Sequence, residues 1–176
     1  MYQREEKYDI EEMVKFVYSI YKATGGEYPL LEWVDEKPSI NDFRKFKEIY
    51  EPFLEKRLRE EFDELYIWRD KKIIATFALV YNFENKKIEW IPPPLINNKM
   101  ALIEFLMVSP ERWGKGYGKE ALQFALNRLR EMGRDAYVAT SRDIKAYSFY
   151  KKFGFKDVCN FKQFTIMKYD WGTSDL

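Results

Sequence analysis

Three glycines at alternate positions, Gly114, Gly116 and Gly118, end the stretch Val108-Ser109-Pro110-Glu111-Arg112-Trp113-Gly114-Lys115-Gly116-Tyr117-Gly118. The apolar run Ala101 to Val108 leads into it and reads as a buried strand. Lys119 to Met132 follows and reads as an amphipathic helix, with Leu122, Ala125, Leu126, Leu129 and Met132 inward and Gly133 at its end. Glycine has no Cβ, so a ligand can come close to the backbone. The first N–H groups of a helix have no internal partner, and the helix dipole adds partial positive charge there. Strand, glycine turn and helix start together make a phosphate cradle. The same residues would also serve a tight turn that binds nothing.

The common phosphate motifs do not fit. No Lys-Ser or Lys-Thr pair closes the loop as in a P-loop, and Lys119 stands where G-x-G-x-x-G needs its last glycine. The stretch resembles the acyl-CoA loop of the GNAT N-acetyltransferases: Gln or Arg, two residues, Gly, one residue, then Gly or Ala. Gly116 and Gly118 fill the glycine positions, and Trp113 replaces the usual Gln or Arg, removing one side-chain donor. A second segment, Asp143-Ile144-Lys145-Ala146-Tyr147-Ser148-Phe149-Tyr150-Lys151-Lys152-Phe153-Gly154-Phe155, resembles the later motif of that family, Asn-x-x-Ala-x-x-x-Tyr-x-x-x-Gly-Phe. Ala146, Tyr150, Gly154 and Phe155 match in register, and Asp143 replaces Asn. The resemblance runs from Ile73 to Phe155. Ahead of Ile73 only the helical pattern is similar.

The resemblance implies a three-layer α/β/α fold (α+β) with a mixed, mostly antiparallel central sheet, in one domain spanning residues 1–176. It implies acetyl-CoA as acyl donor, with pantetheine along the backbone of Leu106, Met107 and Val108. The pyrophosphate would meet the turn Trp113, Gly114, Lys115, Gly116, Tyr117, Gly118 and Lys119. Lys115 and Lys119 would add point charges or remain solvated. Asp143 and Ala146 fall at cofactor-contact positions, and Asp143 could instead cap the helix. Tyr150 matches the tyrosine that protonates the leaving thiolate or holds the sulfur; as a core aromatic it would pack instead. The Val108 N–H is the implied oxyanion donor.

Acetyl transfer to an amine also needs a proton acceptor, because an alkylammonium with a pKa of about 10.4 is not a nucleophile. The chain has no histidine, the commonest general base. Glu104 interrupts the apolar strand, and strict alternation puts it on the face of Leu102, Leu106 and Val108. It is a candidate proton relay or cation-binding group, or else an exposed residue or an ion-pair partner of an arginine. Glu48, Glu51 and Glu55 lie near one face of a helix that borders the implied acceptor site; a solvated face is the plainer account. Trp33 and Trp90 could line that site or anchor loops. Tyr147 is out of motif register. No histidine is present to activate Cys159 as an acyl carrier.

The bulk composition bounds the rest. A chain of 176 residues, 46% apolar, suits one domain with a real core. Thirty basic and 29 acidic residues leave a net charge of +1, which argues against a nucleic-acid partner held by electrostatics. One cysteine and no histidine argue against a disulfide framework and a zinc site, so no metal is expected. No apolar run has membrane-spanning length, and Met1 to Asp9 is too charged for a signal peptide, so the expectation is a cytoplasmic protein with no membrane partner. The expected acceptor is a small-molecule amine or a peptide or protein amine, and a homodimer is left open. A non-catalytic acyl-CoA sensor or assembly module on the same fold is the alternative.

These groups need elements to hold them. Tyr2 to Arg4 would supply a first strand. Asp9 caps a predicted helix to Ala23, closed by Gly25-Gly26. A second helix starts at Ser39 or Asn41 and meets Pro52, which predicts a kink or two helices. Strands are predicted at Leu65–Arg69, Ile73–Phe83 and Ile88–Ile91, the last stopped by Pro92-Pro93-Pro94. Ala136–Thr140, Phe155–Cys159 and Phe161–Tyr169 complete the strands, with a helix at Ile144–Phe153.

Overall fold

Asp9 accepts hydrogen bonds from the N–H groups of Glu11 and Glu12 and starts α1, Ile10–Ala23. In this computed structural model, which describes residues 1–172, α1 buries Met13, Val14, Phe16, Val17, Ile20 and Tyr21 at helical spacing. Asp42, not Ser39 or Asn41, caps α2, Phe43–Lys56, by accepting from the Lys45 N–H. The predicted break at Pro52 does not divide this helix, which runs through it. One turn later the winding changes: Arg57–Glu61 form a π-turn closed by the Phe62 N–H on the Arg57 carbonyl, 2.9 Å.

Seven strands form one sheet in the order β1-β2-β3-β4-β5-β7-β6. They are β1 Gln3–Arg4, β2 Glu64–Arg69, β3 Ile73–Val80, β4 Met100–Val108, β5 Asp135–Thr140, β6 Phe155–Phe161 and β7 Phe164–Tyr169. All neighbours run antiparallel except β4 and β5. The chain crosses between those two through α3, Tyr117–Glu131, and α4, Lys145–Phe153, follows β5. Layer order and sheet type are those expected.

The two faces of the sheet are covered by different helices. Ala121, Leu122, Ala125, Leu126 and Leu129 of α3 and Tyr150 of α4 pack on Phe77, Leu79, Ala101, Ile103, Ala136 and Val138. The α1 and α2 residues Val17, Tyr21, Phe46, Tyr50 and Leu54 pack on Ile67, Ile73, Ala78, Phe105 and Met107. Each large apolar side chain so buried stabilises the fold by about 1.5–3 kcal/mol. A polar tie also fastens α3 to the sheet. The Glu64 carboxylate accepts from Arg128 Nε and Nη2, at 3.1 and 3.0 Å, and from the Tyr66 and Tyr81 hydroxyls, both at 2.6 Å. Burial pushes the Glu64 carboxyl up, but the hydrogen bonds from Arg128, Tyr66 and Tyr81 outweigh it and hold the group down at about 2.

Two predicted strands change. Ile88–Ile91 is not a strand: Ile88 and Ile91 are buried plugs of a loop over Met100, Leu102 and Tyr137, and the following prolines cannot join a ladder. β3 stops at Val80 rather than Phe83, because Asp63 Oδ2 accepts the N–H groups of Tyr81 and Asn82.

Candidate active site

β4 and β5 pair only at Met100↔Asp135, Ala101↔Ala136 and Leu102↔Tyr137. Beyond these, β4 continues to Val108 along β3 and β5 continues to Thr140 along β7. The two strands therefore part, and a gap opens toward the start of α3. The Ser109 N–H donates to the Ile74 carbonyl of β3 at 2.7 Å. By alternation, the N–H and C=O of Val108 point away from β3, to the open side. Trp113, half exposed at 47%, donates its Nε1–H to that Val108 carbonyl at 2.8 Å. The side-chain donor missing from the expected motif thus serves the strand end itself.

Gly116 is the N-cap of α3 with φ +87°, a left-handed conformation that selects glycine. Gly114 has φ +78°. Among the described residues, no acceptor meets the N–H groups of Gly114, Lys115, Gly116, Tyr117, Gly118 or Lys119; the next, Glu120, bonds the Gly116 carbonyl. A Cβ on Gly114 or Gly116 would meet nothing within 4 Å, whereas one on Gly118 would touch Val108 Cγ2 at 3.7 Å and Phe149 Cζ at 3.8 Å, so the loop is open at its first two glycines. Lys115 and Lys119 are exposed and have no ion-pair partner among the described residues. At the parted end of β5, the buried Thr140 Oγ1 also lacks a hydrogen-bond partner among the described residues. Thr140 was not singled out from sequence. Unpaired donors, an orphaned hydroxyl and an open glycine suit a ligand carrying phosphate and amide groups.

The α4 motif places its residues unequally. Ala146 lies in the first turn of α4, against the α3/α4 core, while Asp143 is exposed. Asp143 does not cap the helix: Ile144 holds the N-cap position and no side chain closes it. Tyr147 hydrogen-bonds Asp157 at 2.9 Å, a structural role. Tyr150 is buried, and its ring contacts Phe149 and Phe155. Among the described residues its hydroxyl has no hydrogen-bond partner. Burial first, then the Tyr28 phenol, push the Tyr150 hydroxyl well above the usual tyrosine range. Tyr28 follows α1 and packs with the α1/α2 core, on the other face of the sheet.

Glu104 departs from its expected face. Ala78 pairs with Glu104, but Thr76 pairs with Met107, so β4 carries an extra residue. Phe105 forms this bulge with φ +55°, a strained conformation for an aromatic residue. Alternation changes phase there. Leu106 and Val108 face α3, whereas Phe105 and Met107 join the α1/α2 core. Glu104 shares the face of Leu102 and Ala78, not that of Leu106 and Val108.

On that face Glu104 is buried and fully engaged. Its Oε2 accepts from Arg57 Nη2 at 3.0 Å and its Oε1 from Trp90 Nε1 at 2.9 Å. Arg57 also donates through Nε to Glu61 Oε2 at 3.1 Å. The guanidinium lies over the rings of Phe53, Phe62 and Trp90 at 5.4, 4.9 and 5.2 Å. Burial and the neighbouring Glu104 carboxylate push the Glu61 carboxyl well above the usual carboxylate range, against the pull of Arg57. Sequence reading missed Arg57, Glu61 and Tyr28. The i, i+4 spacing of Arg57 and Glu61 was the available signal; Tyr28 had none. Trp33 stacks on Phe53 at 4.5 Å, and Glu48 and Glu51 pair with Arg44 and Lys47, each at 3.7 Å, as helix-face residues.

Surface depressions beside Arg4 and Leu58 (about 230 Å³) and beside Tyr81 and Arg134 (about 300 Å³) touch neither the glycine loop nor Tyr150. Among the described residues no cluster of three His, Cys, Asp or Glu could hold a metal ion, and no helix is long and apolar enough to cross a membrane.

A sequence profile of the acetyltransferase (GNAT) family matches residues 20–155. Among solved structures, a Pyrococcus horikoshii protein provisionally called an acetyltransferase is 45% identical, with 97% of each chain covered and a TM-score of 0.78. The PaiA N-acetyltransferase of Thermoplasma acidophilum, solved in complex with coenzyme A, is 18% identical over 97% of this chain and 99% of that one, with a TM-score of 0.66. A GNAT family acetyltransferase from Brucella melitensis, solved with acetyl-CoA, is 16% identical over 97% and 88%, with a TM-score of 0.56. At those two lower identities the likeness is one of fold. No curated protein matches.

Proposed function

Because the chain belongs to the acetyltransferase (GNAT) family, we propose that it moves an acetyl group from acetyl-CoA to a primary amine by direct attack of the amine on the thioester. The observation that carries this reading is the parting of β4 from β5 into a gap that ends on unpaired helix N–H groups. The pyrophosphate rests on the N–H groups from Gly114 to Lys119, where backbone donors and the helix dipole favour an anion. Lys115 and Lys119 add charge at the rim. Pantetheine lies along Leu106 to Val108, and the Thr140 hydroxyl supplies a further polar contact. The acyl carbonyl meets the Val108 N–H, which stabilises the oxyanion as the amine adds.

Tyr150 donates to the sulfur as the C–S bond breaks. A phenol held neutral by burial keeps this proton available through the ordinary pH range. The amine arrives from the α1/α2 face, where Tyr28, Arg57 and Glu104 stand. Glu104 acts on this acceptor side of the sheet, as a member of an ion-paired group rather than as a lone base.

Thermal unfolding with acetyl-CoA, free CoA and ATP tests the cofactor. A ligand at a hundred times its Kd adds about 2.7 kcal/mol, which raises Tm by roughly 5–10 °C in a chain of this size. A rise with both CoA species and none with ATP is expected, followed by thiol release when primary amines are added. No rise at millimolar acetyl-CoA would refute the assignment. A rise without thiol release from any amine would favour the non-catalytic sensor.

A further inference from the structure

We infer that Glu61 and Glu104, bridged by Arg57, form a carboxyl pair that holds one proton in the free protein and takes up the proton of the acceptor ammonium. This deepens the transfer reaction proposed above and rests on it.

The geometry is that of a built site. The side chains of Glu61, Arg57 and Glu104 are only 12, 15 and 7% exposed. Phe53, Phe62 and Trp90 wall the guanidinium, and Phe105 packs against Phe62 at 5.8 Å. Glu61 Oε2 and Glu104 Oε2 accept from the same guanidinium, through Nε at 3.1 Å and Nη2 at 3.0 Å, which brings the two carboxyls together. Two carboxylates that share one arginine in a buried, aromatic-walled pocket repel each other, and a proton held between them relieves that repulsion. The π-turn supplies Arg57 and Glu61 from one winding, and the β4 bulge sends Glu104 to meet them.

Other charged and titratable groups facing the cluster are accounted for. Tyr50 of α2 and Tyr28 of the preceding loop both feel Arg57, and Tyr28 feels Glu104 as well. Burial pushes both phenols up, so they stay neutral. Lys86 is committed to Asp63 at 2.7 Å and to the Glu61 backbone carbonyl at 2.8 Å. With Arg57 cationic and one carboxyl protonated, the pocket is neutral.

A neutral pocket sets the order of proton movements. As the ammonium enters, the shared proton leaves to solvent and the pair becomes doubly ionised against the cation. One N–H bond of the ammonium then breaks and its proton forms an O–H on the pair. The electron pair left on nitrogen makes the C–N bond to the thioester carbon. The C–S bond breaks, its electrons leave on sulfur, and the second nitrogen proton balances the thiolate by way of Tyr150. The pair ends with the single proton it started with. An ordinary carboxylate, near pKa 4.3, is a poor acceptor for an alkylammonium near 10.4. A paired carboxyl whose proton affinity is raised closes much of that mismatch.

Two measurements test this. In protein labelled with carboxyl-¹³C glutamate, NMR titration should show a glutamate carboxyl that titrates above neutrality and that is lost in Glu61→Gln. In turnover with acetyl-CoA and a panel of primary alkylamines, Glu61→Gln should lower kcat roughly 100-fold and abolish the alkaline inflection of the kcat/KM profile. Acetyl-CoA affinity should be unchanged, and Glu61→Asp should restore part of the rate. Glutamates that all titrate below pH 6, or a Glu61→Gln profile like that of the wild type, would overturn the pair while leaving the acetyltransferase reading intact. If the wild type binds acetyl-CoA but turns over no amine, the acetyltransferase reading fails and the pair's role fails with it. If Glu61→Gln loses its fold, the NMR titration of wild type and Glu104→Gln decides: a high-titrating carboxyl untouched by Glu104→Gln refutes the pairing.

Discussion

Replacing Gly118 with alanine separates a binding role of the glycine loop from a structural one, because the two give opposite signs. Gly118 lies in the first turn of α3 with ordinary helical backbone, and an added Cβ finds Val108 Cγ2 at 3.7 Å and Phe149 Cζ at 3.8 Å, both normal contacts. Alanine at a compatible position stabilises by about 0.4–1 kcal/mol, mostly by restricting the unfolded chain. In a chain of this length that raises Tm by roughly 1–4 °C. The same methyl lies between β4 and α4, where the proposed reading brings the ligand close to the backbone. Losing one charge-assisted hydrogen bond to an anion costs about 1.5–3 kcal/mol, or roughly 10- to 150-fold in Kd. Calorimetric unfolding of the free protein and titration with acetyl-CoA measure the two effects separately. A higher Tm with an unchanged Kd would refute the cradle; a lower Tm would refute the described start of α3. Gly116 cannot give this separation, since alanine at φ +87° costs about 1–2 kcal/mol by itself.

Two further outcomes are expected. Tyr150→Phe keeps the ring contacts with Phe149 and Phe155, so acetyl-CoA binding and Tm should hold while turnover falls roughly 10- to 1000-fold; unaltered turnover would make Tyr150 a packing residue. Glu64, with its carboxyl held at about 2, stabilises the fold at neutral pH, and that contribution is lost as pH falls from the unfolded value near 4.5 toward 2. Glu64→Gln should be less stable at pH 7 and show a flatter acid limb; an acid limb parallel to that of the wild type would assign acid unfolding to other carboxyls.

The strand, glycine turn and helix from Met100 to Glu131 were the more legible in sequence, because their features are local. Gly114 and Gly116 take positive φ, and the strand and helix flanking them show clean periodicity. α1 and its Asp9 cap were equally plain. Glu104 was singled out correctly as a carboxylate in an apolar strand, but its face was misread. A bulge is a one-residue event set by how β4 meets β3, and alternation within β4 carries no trace of it. Glu61 drew no functional reading from sequence, since its role depends on Glu104 of β4 reaching the same Arg57 guanidinium that Glu61 binds from its own turn. Ile88–Ile91 has strand-like residues, yet Pro92 to Pro94 and burial over Met100 and Leu102 made it a plug. Tertiary partners decided each of these positions.

The extra residue at Phe105 also divides labour along a single strand. Up to Glu104, the even-numbered positions of β4 look toward the chamber built by α1, α2 and the loop of Trp90; after Phe105, the odd-numbered ones do, and the even ones turn to the α3 and α4 side. In the proposed reaction the two substrates would therefore read different faces of neighbouring residues. Changes at α1, α2 or the Trp90 loop can retune which amine is accepted while the acyl-donor side stays constant, and a substitution scan along β4 would show a two-residue rhythm that skips a beat at Phe105.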